Sequence, residues 1–131
     1  MEENLKLNIG CGRDIRQGWI NIDGLKFPGV DDVCDVRGLE KYSGKANYIM
    51  ANHVIEHLPF REIEGVLSHW KDILVKGGTI EITCPNLEVV WEKFQETKNY
   101  HSMLVAFYGN QKDHMYDYHL CGFTPNLLQE K

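Results

Sequence analysis

At 131 residues with 43% hydrophobic content, the chain is long enough for one domain around one modest core. A formal net charge of -5 argues against an extended phosphate-binding surface, and no apolar run approaches the ~20 residues that span a bilayer. The acidic start lacks a secretory signal pattern. Cys11, Cys34, Cys84 and Cys121 are scattered without a Cys-x-x-Cys pair, so reduced thiols in a cytoplasmic protein are expected, not a disulfide framework or a zinc ribbon.

Leu5, Leu7 and Ile9 alternate with Lys6 and Asn8, the period of a strand, and Gly10-Cys11-Gly12 ends it. A second strand, Trp19–Asp23, follows after the short connector Arg13–Gly18. A crossover between parallel strands normally takes a dozen or more residues, so only a turn or a short helical piece fits here. Pro28-Gly29 marks a turn, Val33–Val36 reads as a short third strand, and Gly38–Lys45 leaves room for one helical turn. Ala46–Ala51 reads as a buried strand.

Ile63, Val66, Leu67, Trp70, Ile73 and Leu74 then form one helical stripe, which Gly77-Gly78 is expected to stop. Thr79–Cys84 is a β-branched strand closed by Pro85. Asn86 caps a helix carrying Leu87, Val90, Trp91 and Phe94. A helix around Ser102–Tyr108 ends at Gly109, Gly109–Gly122 is a loop by composition, and Thr124-Pro125 starts a last helix. Trp70, Trp91, Phe94 and Phe107 are expected in a core or an interface.

Short apolar strands and a long crossover imply an α/β fold with a mostly parallel sheet, whose ligands bind beyond the strand carboxyl ends. Gly10–Gly12, Asp23, Asp35 and Asn52–His57 all fall at such ends. The two glycines permit a ligand to approach the backbone, and a carboxylate at Asp23 accepts from both hydroxyls of a ribose. A dinucleotide fingerprint would place its third glycine at Ile15, which disfavours nicotinamide cofactors. Asp31, Asp32 and Asp35 read equally well as a solvated acidic loop. His53, Glu56 and His57 match the spacing of an inverted zinc-protease motif, but here the motif follows a strand directly and Pro59 comes just after it. Glu56 and His57 read as shaping or acid/base groups, or as a helix-start cap. Near neutral pH a neutral His119 can accept a proton, and Tyr116, Tyr118 and Phe123 are candidates to line a substrate pocket.

Four segments taken together resemble class I S-adenosylmethionine-dependent methyltransferases, and they occur in that family's order. They are Leu-Asn-Ile-Gly-Cys-Gly, Gly-Trp-Ile-Asn-Ile-Asp, His-Val-Ile-Glu-His-Leu and Leu-Val-Lys-Gly-Gly-Thr-Ile-Glu-Ile-Thr-Cys-Pro-Asn. Tyr118-His119 with Gly122-Phe123-Thr124 resembles a later segment of some members. The resemblance implies a Rossmann-like sheet of order 3-2-1-4-5 and S-adenosylmethionine as cofactor. It places the methionine part over Gly10, Cys11 and Gly12, the ribose on Asp23, the adenine edge near Asp35 and Val36, and Asn52 and His53 against cofactor or substrate.

The implied reaction is methyl transfer to an O or N nucleophile, with His57 or His119 as base and a small-molecule or saccharide acceptor, not nucleic acid. Metal-binding members carry Glu-x-x-Glu-His where this chain has His53 first, so a hard Mg²⁺ site loses a carboxylate and no metal is expected. The helices that full members place between strands 1, 2 and 3 do not fit, and the late strands 6 and 7 are missing. A single, possibly C-terminally truncated domain is therefore expected, with a homodimer covering an exposed sheet face or edge. The alternative reading is a non-catalytic adenosylmethionine-binding or interaction domain.

Overall fold

The computed structural model describes residues 3–112 and 115–130. Five strands form one sheet, β1 (Lys6–Ile9), β2 (Ile20–Asp23), β3 (Asp32–Val33), β4 (Ala46–Asn52) and β5 (Leu74–Thr83). Their order is β3-β2-β1-β4-β5 and every pairing is parallel. The helices are α1 (Ile63–Ile73), α2 (Leu87–Thr97), α3 (Tyr100–Tyr108) and α4 (Pro125–Gln129). This is the reduced Rossmann-like topology expected, with no large helix between the first three strands. The chain divides into two compact units, Met1–Val54 with Glu64–Thr83, and Ile55–Ile63 with Cys84–Lys131.

In the first unit, Leu7, Ile9, Ile22, Ile49, Trp70 and Ile73 are fully buried. Asn8 and Asn21 are buried as well, at 1% and 3% exposure, although strict alternation would turn Asn8 outward. The two are register partners across β1 and β2, and Asn8 Nδ2 donates to Asn21 Oδ1 at 3.0 Å and to the Asp14 carbonyl at 2.7 Å. Asn21 Oδ1 also accepts from the Arg16 N–H at 2.9 Å, and its Nδ2 donates to the carbonyls of Arg16 and Trp19. The polar groups of the short β1–β2 connector thus find their partners on two strand side chains, where a longer crossover would have used a helix.

Asn21 serves the β2–β3 connection too. Asp31 Oδ2 accepts from its backbone N–H at 2.7 Å and from its Nδ2 at 3.1 Å, while the Asp31 N–H donates to the Asn21 carbonyl at 2.8 Å. β3 is shorter and earlier than its apolar run indicates. It stops at Val33, and Asp35 and Val36 lie past its end.

The helix of the long crossover also ends earlier than Gly77-Gly78 implies. The carbonyls of Asp72 and Ile73 accept from the N–H groups of Gly44 and Lys45, at 2.9 and 3.0 Å, so the end of α1 needs no glycine cap. The strand begins at once. Between the Ala46–Leu74 and Tyr48–Thr79 pairs its register shifts, and Gly77, at φ +80°, lies in that irregular stretch. Trp70 and His69 on α1 hold the segment before β4, through Nε1 to the Val36 carbonyl at 2.9 Å and Nε2 from the Leu39 N–H at 3.0 Å. Thr79–Thr83 lie on β5 at the sheet edge, as expected of Thr79–Cys84, with Thr79, Glu81 and Thr83 exposed.

In the second unit, Asn86 caps α2 by accepting from the Glu88 N–H, and Asn99 caps α3 by accepting from the Ser102 N–H. Thr124 caps α4 with Pro125 in its first turn. Gly109, at φ +81°, ends α3, and a Cβ there would meet the Asp117 carbonyl oxygen. The stretch read as a loop contains a 3-10 turn, Met115–Asp117, and an antiparallel bridge from Tyr118 to Gly109. Residues 113 and 114 of that stretch lie outside the described residues. Trp91 is 49% exposed and stacks obliquely on Phe94, which meets Tyr100 edge-on.

Removing Asn21 should be costly. Each buried polar group left unsatisfied costs ~1–3 kcal/mol, so Asn21→Ala is expected to lower unfolding free energy by roughly 2–4 kcal/mol in urea titrations. A loss within experimental error would show that the connector does not depend on it. Acid should weaken the same region. Hydrogen bonds from Asn21 hold Asp31 below the usual carboxylate range, and those from Arg37 do the same for Asp35. Groups with depressed folded pKa values stabilise the fold above the unfolded value of ~3.9 and lose that contribution as pH falls through the folded one. Thermal melts are therefore expected to shift downward below about pH 4, less so in Asp31→Asn.

Candidate functional site

The carboxyl ends of β2, β1 and β4 bring together three residues in the left-handed region. Gly10 and Gly12 stand at φ +59° and +52° after β1, and His53 stands at +55° after β4. Glycine tolerates this backbone freely and histidine does not, so His53 is a strained position. Its N–H donates to the Thr83 carbonyl at 2.8 Å, which holds the turn in place.

The two glycines are required for different reasons. A Cβ on Gly10 would lie 2.5 Å from Val54 Cγ2, so its absence serves core packing as well as the turn. A Cβ on Gly12 would meet nothing within 4 Å, so open space adjoins its backbone. Cys11 between them is buried, and desolvation, reinforced by the Asp23 charge, pushes its thiol up to about 11.

Asp23 ends β2 next to this turn. Its Oδ2 accepts from the Gly12 N–H at 2.8 Å and its Oδ1 from the Leu25 N–H at 2.9 Å. Both oxygens are thereby oriented, and each keeps a second lone pair for another donor. Turn geometry and ligand reach are thus two properties of one carboxylate. Asp35 is placed differently. It accepts from the Arg37 side chain at both oxygens, at 3.0 and 2.9 Å, in an exposed pair. The Val36 carbonyl is engaged by Trp70. Asn52, half-buried, closes β4 opposite Thr83. A depression of about 310 Å³ lies at the other end of the sheet, lined by Glu3, Leu5, Gly44, Lys45, Asn47 and Val75, and contains none of the candidate residues.

The second unit carries the remaining candidates. Ile55–His57 forms a 3-10 turn with Glu56 buried at 1% exposure. The Glu56 carbonyl accepts from the N–H groups of Leu120 and Cys121, at 2.8 and 3.2 Å, which pins the returning segment to the turn. His57 and His119 are thereby brought into edge contact, with ring centroids 4.8 Å apart and planes at 82°. Burial pushes the His57 pKa below its ordinary value, against the opposing pull of Glu56. Phe123 is 1% exposed and bridges to Asn86, so it belongs to packing and not to a pocket wall. Tyr116 and Tyr118 are exposed at 40% and 44%. Glu56 as a buried neighbour of both histidines was not assigned by the spacing of the motif alone; a carboxylate beside a histidine after a buried strand is the only local hint.

The glycine pair separates strain from packing. Gly12→Ala should cost only the left-handed backbone penalty, about 1 kcal/mol, while Gly10→Ala adds the clash with Val54 and should cost several times more. Equal losses in denaturant midpoint would contradict that division. No protein-family model matches the chain, and no curated protein matches it in sequence. The architecture is that of a Rossmann-like α/β protein with a reduced parallel sheet, a fold type compatible with nucleotide or cofactor binding.

Proposed function

We propose that the chain is an S-adenosylmethionine-dependent methyltransferase acting on an O or N nucleophile of a small-molecule or saccharide acceptor. The observation that carries this reading is the Asp23 carboxylate, fixed at 2.8 Å from the Gly12 N–H beside a glycine turn that opens onto free space. An acid at the end of the second strand, facing a glycine turn after the first, suits a ligand that presents ribose hydroxyls next to a group lying over backbone. Ile15 in place of a third glycine, and the absence of a helix after the turn, favour this cofactor over a dinucleotide.

The residues present fit the cofactor. Gly10, Cys11 and Gly12 would lie along its methionine part, Asp23 would accept from its ribose, and Asn52 and His53 would bound the same strand ends. Asp35 and Val36 contribute less in this reading, because Arg37 and Trp70 already engage them. Bound there, the sulfonium supplies an electrophilic methyl group. The chain's own task is alignment, which supplies roughly 7–11 kcal/mol in favourable cases. Where the acceptor must lose a proton, His57 and His119 are the imidazoles assigned to receive it, a role worth about two to four orders of magnitude. β5, the outer strand of the sheet, is the edge on which a second copy would pair.

Calorimetric titration with S-adenosylhomocysteine tests the reading. Micromolar binding is expected in the parent chain, and Asp23→Ala should weaken it at least tenfold, about 1.4 kcal/mol for lost charge-assisted hydrogen bonds. His119→Ala should leave that affinity intact and cut turnover in a methyl-donor screen by about 100-fold or more. Binding lost in the His119 variant and unchanged in the Asp23 variant would reverse the assignment.

A further inference from the structure

Two segments of the second unit run side by side for a short distance. Asn86 and Phe123 form a parallel bridge, and the Leu87 N–H donates to the Phe123 carbonyl at 3.0 Å. The approach is close, since a Cβ on Gly122 would lie 2.5 Å from Leu87 Cδ1. Parallel partners advance in step, so two residues back from this bridge stand Cys84 on one segment and Cys121 on the other. Extended residues two apart share a face, and paired segments lie ~4.8 Å apart. A disulfide spans Cα separations of about 4.4–6.8 Å, so this spacing suits one.

Further observations concern the same two residues. Cys121 is anchored, its N–H donating to the Glu56 carbonyl at 3.2 Å and its Sγ to that of Ile55 at 3.4 Å. Both thiols are free and half-buried, so a small reagent has access to them. They also share their surroundings. Burial first, and then the charge of Glu56, push both thiols up, Cys121 to about 11, and Cys84 itself adds to the rise at Cys121. Near neutral pH the pair is therefore stored as thiols until an oxidant is supplied. Cys11 and Cys34 belong to the first unit.

We propose that Cys84 and Cys121 are a redox-responsive pair, which a low-molecular-weight disulfide converts into an intramolecular disulfide bond. The exchange balances in two steps. One cysteine, as thiolate, attacks the S–S bond of the reagent, forms a mixed disulfide and releases one thiol. The other attacks the protein sulfur of that mixed disulfide, forms the Cys84–Cys121 bond and releases the second thiol. Two protein sulfurs are oxidised, the reagent gains two electrons, and the two protons leave on its thiols.

The bond ties the segment after α3 to the residues that precede α2. That segment carries His119, so oxidation would fix the imidazole assigned to proton removal. The pair itself rests on the second unit alone and not on the methyl-transfer reading.

Equilibration of the full chain in glutathione buffers of graded redox ratio tests the proposal, with iodoacetamide blocking, intact mass and peptide mapping as readout. The folded chain is expected to lose two of its four thiols to a single Cys84–Cys121 bridge. It should do so at a ratio at least about tenfold more reducing than the same chain unfolded in urea. Dithiothreitol should restore both thiols, and the oxidised chain should unfold at a higher denaturant midpoint, because the bond closes a long loop. Cys84→Ser and Cys121→Ser, each checked for folding by circular dichroism, should abolish the bridge and leave at most a mixed disulfide with glutathione. Retention of all four thiols by the folded chain, a bridge from either residue to Cys11 or Cys34, or a bridge formed no more readily in the folded than in the unfolded chain would each overturn the pair. A Cys84–Cys121 bridge without S-adenosylhomocysteine binding would uphold the pair and remove the methyl-transfer reading alone.

Discussion

The first unit depends on a pair of buried asparagines. Two parallel strands cannot be joined by a short connector unless its backbone polar groups are satisfied without a helix. Asn8 and Asn21 face each other across β1 and β2, and between them they reach Asp14, Arg16, Trp19 and Asp31. Asn21 thereby fixes the connections on both sides of β2. With that strand in register, the Cys11 N–H donates to the Ile22 carbonyl and the Gly12 N–H meets the Asp23 carboxylate. The geometry of the candidate cradle is thus a consequence of how the missing helices are replaced.

Local signals made most of the architecture legible. The short apolar runs Leu5–Ile9 and Ala46–Ala51 gave strands, the stripe from Ile63 to Ile73 gave α1, and Asn86, Gly109 and Thr124-Pro125 marked helix ends where they occur. The failures share one cause, which is that a residue's local preference was met by a distant partner. Alternation turns Asn8 outward, but Asn21 receives it inside. A double glycine stops a helix, but Gly44 and Lys45 had already satisfied the α1 carbonyls, leaving Gly77 to the irregular register of β5. Val33–Val36 has the composition of a strand, yet pairing with β2 ends at Val33, and Val36 gives its carbonyl to Trp70.

The candidate residues divide along the same line. Gly10, Gly12 and Asp23 were readable because turn, strand end and acid are close in sequence and the sheet order carries them together. Asp35 was ambiguous on sequence grounds, and its pairing with Arg37 accounts for one side of that ambiguity. His53 needs a left-handed backbone that no residue pattern advertises. His119 is the extreme case. Its relation to Glu56 and His57 is created by a bridge from Tyr118 to Gly109 and by hydrogen bonds to the Glu56 carbonyl, none of which has a periodic signature.

The imidazole pair also constrains which chemistry the second unit can perform. A general base must be neutral at the moment of proton removal and must expose a lone pair. Both rings meet the second condition, because their Nδ1 hydrogens are committed to backbone carbonyls. For His57 burial favours the first as well, since it disfavours the imidazolium. A proton taken by either ring would therefore arrive at Nε2 and leave the Nδ1 contact with the backbone in place.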